Sequence, residues 1–163
     1  MFIYPLIAAL IIAADQASKY AVRTFMQPGD RIPVIGDWFS MYYVRNTGTA
    51  FSMFSGNKFI TVALTSVLII ACLVFLIIEA RKGSKVLAAL ITMVFAGGVG
   101  NLIDRLTLGY VTDMISCWSF AVFNVADIFV TCGCFLIVFY ILFAYKDEEK
   151  AASSGAGKHD KTE

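Results

Sequence analysis

The chain has 163 residues, of which 59% are hydrophobic and only 15% charged, and its mean hydropathy is +0.76. That composition argues against a soluble domain, and a formal net charge of +1 without a long basic run argues against a nucleic-acid partner. The length leaves room for one compact membrane domain, 1–145, and a short tail, 146–163.

A first apolar segment, about 2–22, ends in the polar cluster Asp15, Gln16, Ser18 and Lys19. No Lys or Arg precedes the apolar run, and Ala14-Asp15-Gln16-Ala17 makes a poor cleavage site, so it reads as an uncleaved transmembrane helix. Asp15 and Lys19 lie four apart in the favourable acid-first order and can pair, which lowers the cost of entering a membrane border. The stretch 24–57 has turn signals at Pro28-Gly29-Asp30 and Gly36-Asp37 around the strand-like run Trp38 to Val44. It reads as a small sheet on the membrane surface, where the rings of Trp38, Phe39, Tyr42 and Tyr43 suit the interface. A polar turn containing Asn46 and Gly48 leads toward the second apolar segment, about 59–78.

That segment carries no charge before Glu79 and is long enough, at about 1.5 Å per residue, to cross a hydrocarbon core of about 30 Å. The loop from Glu79 to Lys85 holds Arg81, Lys82 and Lys85. The third segment, about 86–103, carries Gly97, Gly98 and Gly100, which permit close helix approach, and is followed by Asp104 and Arg105. Gly97, Asn101 and Arg105 form an i, i+4, i+8 line. After Gly109 a short strand-like piece contains Asp113, and the fourth segment, about 120–145, carries Asn124 and Asp127 near its start on one helix face. The tail mixes charged and small residues without an apolar period and reads as solvated and disordered.

These readings give a mainly α, membrane-embedded fold: a bundle of four transmembrane helices with a small extracytoplasmic β-sheet cradle. Basic density in the loop 79–85 and in the tail puts both termini in the cytoplasm. All the unusual polar clusters then converge on the opposite, outer face. The cysteines Cys72, Cys117, Cys132 and Cys134 read as buried structural thiols, and the single histidine, His159, lies in the tail. No metal and no cofactor are expected, since a zinc site of the usual kind and a serine–histidine triad both lack a core histidine.

A carboxylate near the centre of a bilayer helix costs roughly 2.5 to 3.5 kcal/mol on insertion scales, so such a residue usually has a task. Asp113 and Asp127 come from different elements and can face one another across a gap. Two nearby carboxylates split their titration, so one can take a proton from water while the other polarises a carbonyl. The same acids would also suit a cation or proton path, and the glycines would suit an assembly scaffold; from acid placement alone all three readings stand.

The ordered set Asp15-Gln16-Ala17-Ser18-Lys19, Asn46-Thr47-Gly48-Thr49-Ala50-Phe51, Gly97 through Arg105, Val111-Thr112-Asp113 and Phe123-Asn124-Val125-Ala126-Asp127 closely resembles the bacterial lipoprotein signal peptidases, or signal peptidase II. The resemblance covers about 1–145. It implies an intramembrane aspartic endopeptidase of the bacterial cytoplasmic membrane that cuts prolipoproteins before a diacylglyceryl-modified cysteine. It implies Asp113 and Asp127 as the catalytic pair, Asn46, Gly97, Asn101, Arg105, Asn124 and Ala126 around the pocket, and Asp15 with Lys19 in support. It further implies membrane lipid as a partner, a monomer, and sensitivity to a cyclic peptide such as globomycin. Thr49, Met114 and Ala121 depart from the family's usual residues.

Overall fold

The computed structural model describes residues 2–36, 38–48, 58–118 and 121–143. The expected tail and the residues Thr49, Ala50 and Phe51 of the polar turn lie outside the described residues. The elements in order are α1 (Ile3–Phe25), β1 (Arg31–Ile35), β2 (Phe39–Asn46), α2 (Lys58–Lys82), α3 (Lys85–Thr107), β3 (Val111–Cys117), β4 (Val122–Phe123) and α4 (Val125–Phe143).

Helix α3 is the hub, packed against α1, α2 and α4. Its small residues make this possible. A Cβ on Gly97 would lie 2.5 Å from the Ala126 carbonyl oxygen of α4, and one on Gly98 would lie 3.1 Å from Ile69 of α2. On α4, a Cβ on Gly133 would lie 2.7 Å from Val94 of α3. Helices α2 and α4 turn Leu64, Val67, Ile70, Phe75, Phe135 and Phe139 outward. Cys132 and Cys134 are exposed on the same outer surface and Cys72 and Cys117 are half-buried, which corrects the expectation of four buried thiols.

Among the described residues, α2, α3 and α4 are long and apolar enough to cross a membrane. Helix α1 has 23 residues, ample length for a span, but polar side chains dilute its hydropathy. The reason is visible in its packing: its buried residues are Ala8, Ile11, Asp15, Lys19 and Val22, spaced three or four apart. The upper part of this stripe packs Ala8 and Ile11 on Ala96, whereas the lower part places charged groups inside the protein.

The strands form one antiparallel sheet in the order β1-β2-β3-β4. Asp113 of β3 sits opposite Val44 of β2, and Ile115 and Ser116 pair with Phe123 and Val122. Met114 is buried with Val22, Met26 and Tyr43, so the sheet is pinned to the end of α1. The stretch expected to open the fourth helix instead supplies β4, and the helix starts only at Val125. Asn124 therefore precedes α4 and does not share a helix face with Asp127. Its side-chain oxygen accepts from the Asp127 N–H at 2.9 Å, while Asp127 Oδ2 accepts from the Asn124 N–H at 3.3 Å. This reciprocal capping box satisfies two donors at the helix start and fixes where α4 begins.

Candidate active site

Three asparagines organise the two acids, and the chemistry of their partners fixes which way each amide points. Asn46 Oδ1 accepts from the Gly48 N–H at 3.0 Å, an Asx turn that leaves Nδ2 to donate to Asp113 Oδ2 at 2.9 Å. Asn124 Oδ1 is engaged by the Asp127 N–H, so its Nδ2 donates to Asp113 Oδ1 at 2.7 Å and to Asn101 Oδ1 at 3.2 Å. Asn101 Oδ1 also accepts from Lys19 Nζ at 2.9 Å, and its Nδ2 donates to Asp127 Oδ1 at 2.8 Å. The result is a continuous path from Asp113 through Asn124 and Asn101 to Asp127.

Asp113 is only 2% exposed, and Asp127 is half-buried. Burial pushes the Asp113 carboxyl up to about 6; the Asn46 hydrogen bond opposes this, the Asp127 charge adds to it, and the Asn124 bond and the Lys19 charge oppose it. Arg105 interacts electrostatically with Asp127 more than with Asp113 or Asp104, and its Nη2 donates to the Gly48 carbonyl at 3.3 Å. The guanidinium thus bridges α3 and the turn after β2. Two carboxyls joined through asparagines, with a guanidinium in the same cluster, are an arrangement that can share a proton and so suit water-mediated hydrolysis.

Behind the acids lies a second, wholly interior layer. Asp15 and Lys19 are both 0% exposed and pair at 2.8 Å. Asp15 Oδ1 accepts from the Ala126 N–H at 2.9 Å, which ties α1 to the first turn of α4. Gly100 makes room for this carboxylate, since a Cβ there would lie 2.6 Å from Asp15 Oδ2. Gly97 and Ala126 meet each other in the seam between α3 and α4.

The expected residues Asp15, Lys19, Asn46, Gly97, Asn101, Arg105, Asp113, Asn124, Ala126 and Asp127 are thereby brought to one end of the bundle. Four others join them. Asp104 is buried, accepts from the Thr112 N–H at 2.9 Å, and stands 3.6 Å from Lys19 and 3.7 Å from Arg23. Arg23 also donates to Thr112 Oγ1 at 3.1 Å. Gln16 Nε2 donates to the Gly100 carbonyl at 3.0 Å and lies within reach of both Asp15 and Asp104. The signal for Asp104 was the i, i+4 pair Gly100 and Asp104, which runs beside the Gly97, Asn101, Arg105 line and matches Asp15 and Lys19 on α1.

Residues 7–143 match the family described as Signal peptidase (SPase) II. The chain belongs to the signal peptidase II family. It is 35% identical over 147 residues to the lipoprotein signal peptidase of Shouchella clausii, covering 90% of this chain and 97% of that one. With the lipoprotein signal peptidase of Brevibacillus brevis it shares 39% identity over 132 residues, 80% of this chain and 88% of the relative. With that of Enterococcus faecalis it shares 35% over 157 residues, 95% and 94% of the two chains. Its fold is similar to a bacterial membrane enzyme solved by the in meso method at 2.3 Å resolution, with a TM-score of 0.79 and 32% identity over 87% of this chain and 88% of the other. A second in meso structure of a bacterial membrane enzyme, at 1.9 Å, gives a TM-score of 0.74 and 30% identity over 88% and 95%. As a signal peptidase II, the chain is a protease and a bacterial membrane protein.

Proposed function

We propose that this signal peptidase II is an intramembrane aspartic endopeptidase that removes signal peptides from diacylglyceryl-modified prolipoproteins, cutting before the lipidated cysteine. The observation that carries the reading is the asparagine-linked pair Asp113 and Asp127, drawn from a strand and a helix start to one end of an apolar bundle.

In this reading Asp127 is the ionised acid, and the more buried Asp113 holds the proton. Water held between them gives its proton to Asp127 as its oxygen attacks the scissile carbonyl, and Asp113 protonates the carbonyl oxygen. The resulting tetrahedral diol collapses when Asp127 passes its proton to the departing nitrogen of the cysteine and Asp113 recovers its own. The products are a signal peptide with a free carboxyl end and a lipoprotein with a free amino end. Arg105 and Asn46 flank the path that the substrate main chain would take, and the outward apolar faces of α2 and α4 suit acyl chains arriving from the bilayer. A cyclic peptide such as globomycin would compete for the same cleft.

The reading includes four crossings, 1–145 as one membrane domain, both termini in the cytoplasm and the site near the outer face. The polar groups of α1 support the fourth crossing, because Asp15 and Lys19 face α3 and α4 rather than lipid.

The test is a gel-shift cleavage assay on purified protein in detergent, with a prolipoprotein bearing diacylglycerol and the same substrate without it. We expect cleavage of the lipidated form only. Asp113→Asn and Asp127→Asn should each lose at least about a thousand-fold in kcat/KM while remaining folded, with a modest fall in melting temperature because each turns an NH2 toward a former donor. For the wild type, kcat/KM should fall as pH rises and the Asp113 proton is lost. Full activity in either variant would remove that residue from the mechanism.

A further inference from the structure

Seven of the described charged groups at the outer end of the bundle form one cluster, while Asp30 and Arg31 serve the β1 end through Gln27 and Ser40. From α1 come Asp15, Lys19 and Arg23; from α3 come Asp104 and Arg105; β3 and α4 supply Asp113 and Asp127. The flanking groups look elsewhere. Arg45 is exposed over the Tyr110 ring beside Tyr43, and Lys58 of α2 reaches the Leu106 carbonyl. Within the cluster, four carboxylates face three cations. Fully ionised, it carries one excess negative charge in a poorly solvated place, and a single bound proton makes it neutral.

The connection between the two layers is specific. Lys19 Nζ touches Asp15 Oδ2 at 2.8 Å and Asn101 Oδ1 at 2.9 Å, and Asn101 passes its own N–H to Asp127 Oδ1. An ammonium has only donors, so it forbids the flipped Asn101 amide, which would turn an NH2 toward it. Lys19 therefore does two things at once: it orients the amide that holds Asp127, and its charge reaches both Asp127 and Asp113.

We propose that Lys19 is a positioning residue that keeps the Asp113 and Asp127 pair in its one-proton form, with Asp15 and Asp104 as the counter-charges that set how strongly it does so. The proposal rests on the aspartic-dyad reading above. It makes the interior ion layer an electrostatic control of the reaction and not only a brace between α1 and α3. The logic fixes signs. Loss of the Lys19 charge makes both ionisations of the pair harder, so the acid and alkaline limbs of the kcat/KM profile move to higher pH. Loss of the Asp15 charge moves both limbs to lower pH.

The experiment is the pH dependence of kcat/KM for wild type, Lys19→Met, Asp15→Asn and the double variant, using the lipidated substrate, with Asp127→Asn as the inactive reference. We expect an upward move of about one pH unit for Lys19→Met, the scale of one unit charge in a partly buried site, and a downward move for Asp15→Asn. In the double variant, which restores the charge balance, the limbs return toward wild type even where the maximal rate stays low. Should Lys19→Met fail to fold, Arg23→Gln removes the same charge from a side chain that is 23% exposed and is expected to give a smaller upward move. Lower rates with unmoved limbs, or limbs that move the same way for both single variants, would overturn the proposal while leaving the peptidase reading intact. A fully active Asp127→Asn enzyme would remove that reading, and the proposal with it.

Discussion

Asn124 spends its side chain on two jobs that are normally separate, since one amide caps α4 and holds Asp113. The jobs can be pulled apart by substitution. Asn124→Ser keeps an oxygen able to cap the helix but is too short to reach Asp113, whereas Asn124→Ala loses both. We expect Asn124→Ala to lose about 1 kcal/mol of stability or more, Asn124→Ser only a few tenths, and both to lose at least about ten-fold in activity. Thermal unfolding in detergent beside the cleavage assay would check this; a fully active serine variant would show that Asp113 does not need the amide. Much of the site could be read from residue types, because acids and amides inside apolar segments are costly and so conspicuous. The capping box was also present in the sequence as Asn124-x-x-Asp127, but reading the apolar run as helix from 120 hid it. Asp104 was hidden for another reason: beside Arg105 it looks like half of a local charge pair, although neighbours one apart on a helix point in different directions.

Helix α3 meets α4 with almost no side chain between them at Gly97, and the cost of adding one depends on what stands opposite. At Gly97 the obstacle is the Ala126 backbone, which cannot move without shifting the first turn of α4 and with it Asp127. At Gly133 the nearest obstacle is the end of the Val94 side chain. Gly97→Ala should therefore cost about 1 to 3 kcal/mol and most of the activity. Gly133→Ala should cost less, since the nearest atom there belongs to a side chain and not to the backbone that carries Asp127, and should leave kcat/KM within a few-fold of wild type. Equal effects in melting and cleavage assays would contradict this account of the seam. The sequence showed that small residues cluster on α3, but not which helix each of them meets; that depends on crossing geometry, which hydrophobic period alone does not determine.

At the scale of the whole molecule the two ends differ in kind. One end holds the ion cluster and the sheet, and the other holds Arg81, Lys82 and Lys85 around the turn at Gly83. A reporter domain active only outside the cytoplasm should be silent when fused after Gly83 and active when inserted after Gly29, between α1 and β1. The reverse pattern would invert the orientation. The helical architecture was legible because apolar length is a strong signal. The sheet was legible only in part, since β3 and β4 come from short stretches whose pairing with β2 is a long-range event.

The stripe on α1 also bears on how the protein is made. Asp15 and Lys19 find Asn101, Asp104 and the Ala126 N–H only after β1, β2 and α2 have been synthesised and α3 and α4 have followed. In the four-crossing reading proposed above, α1 enters the membrane before those partners exist, with two charges on its inward face. Their spacing of one helical turn lets each neutralise the other from the moment the first helix forms. On that reading the salt bridge behind the acids would also ease the entry of α1 into the bilayer, before α3 adds its own partners to the same two side chains.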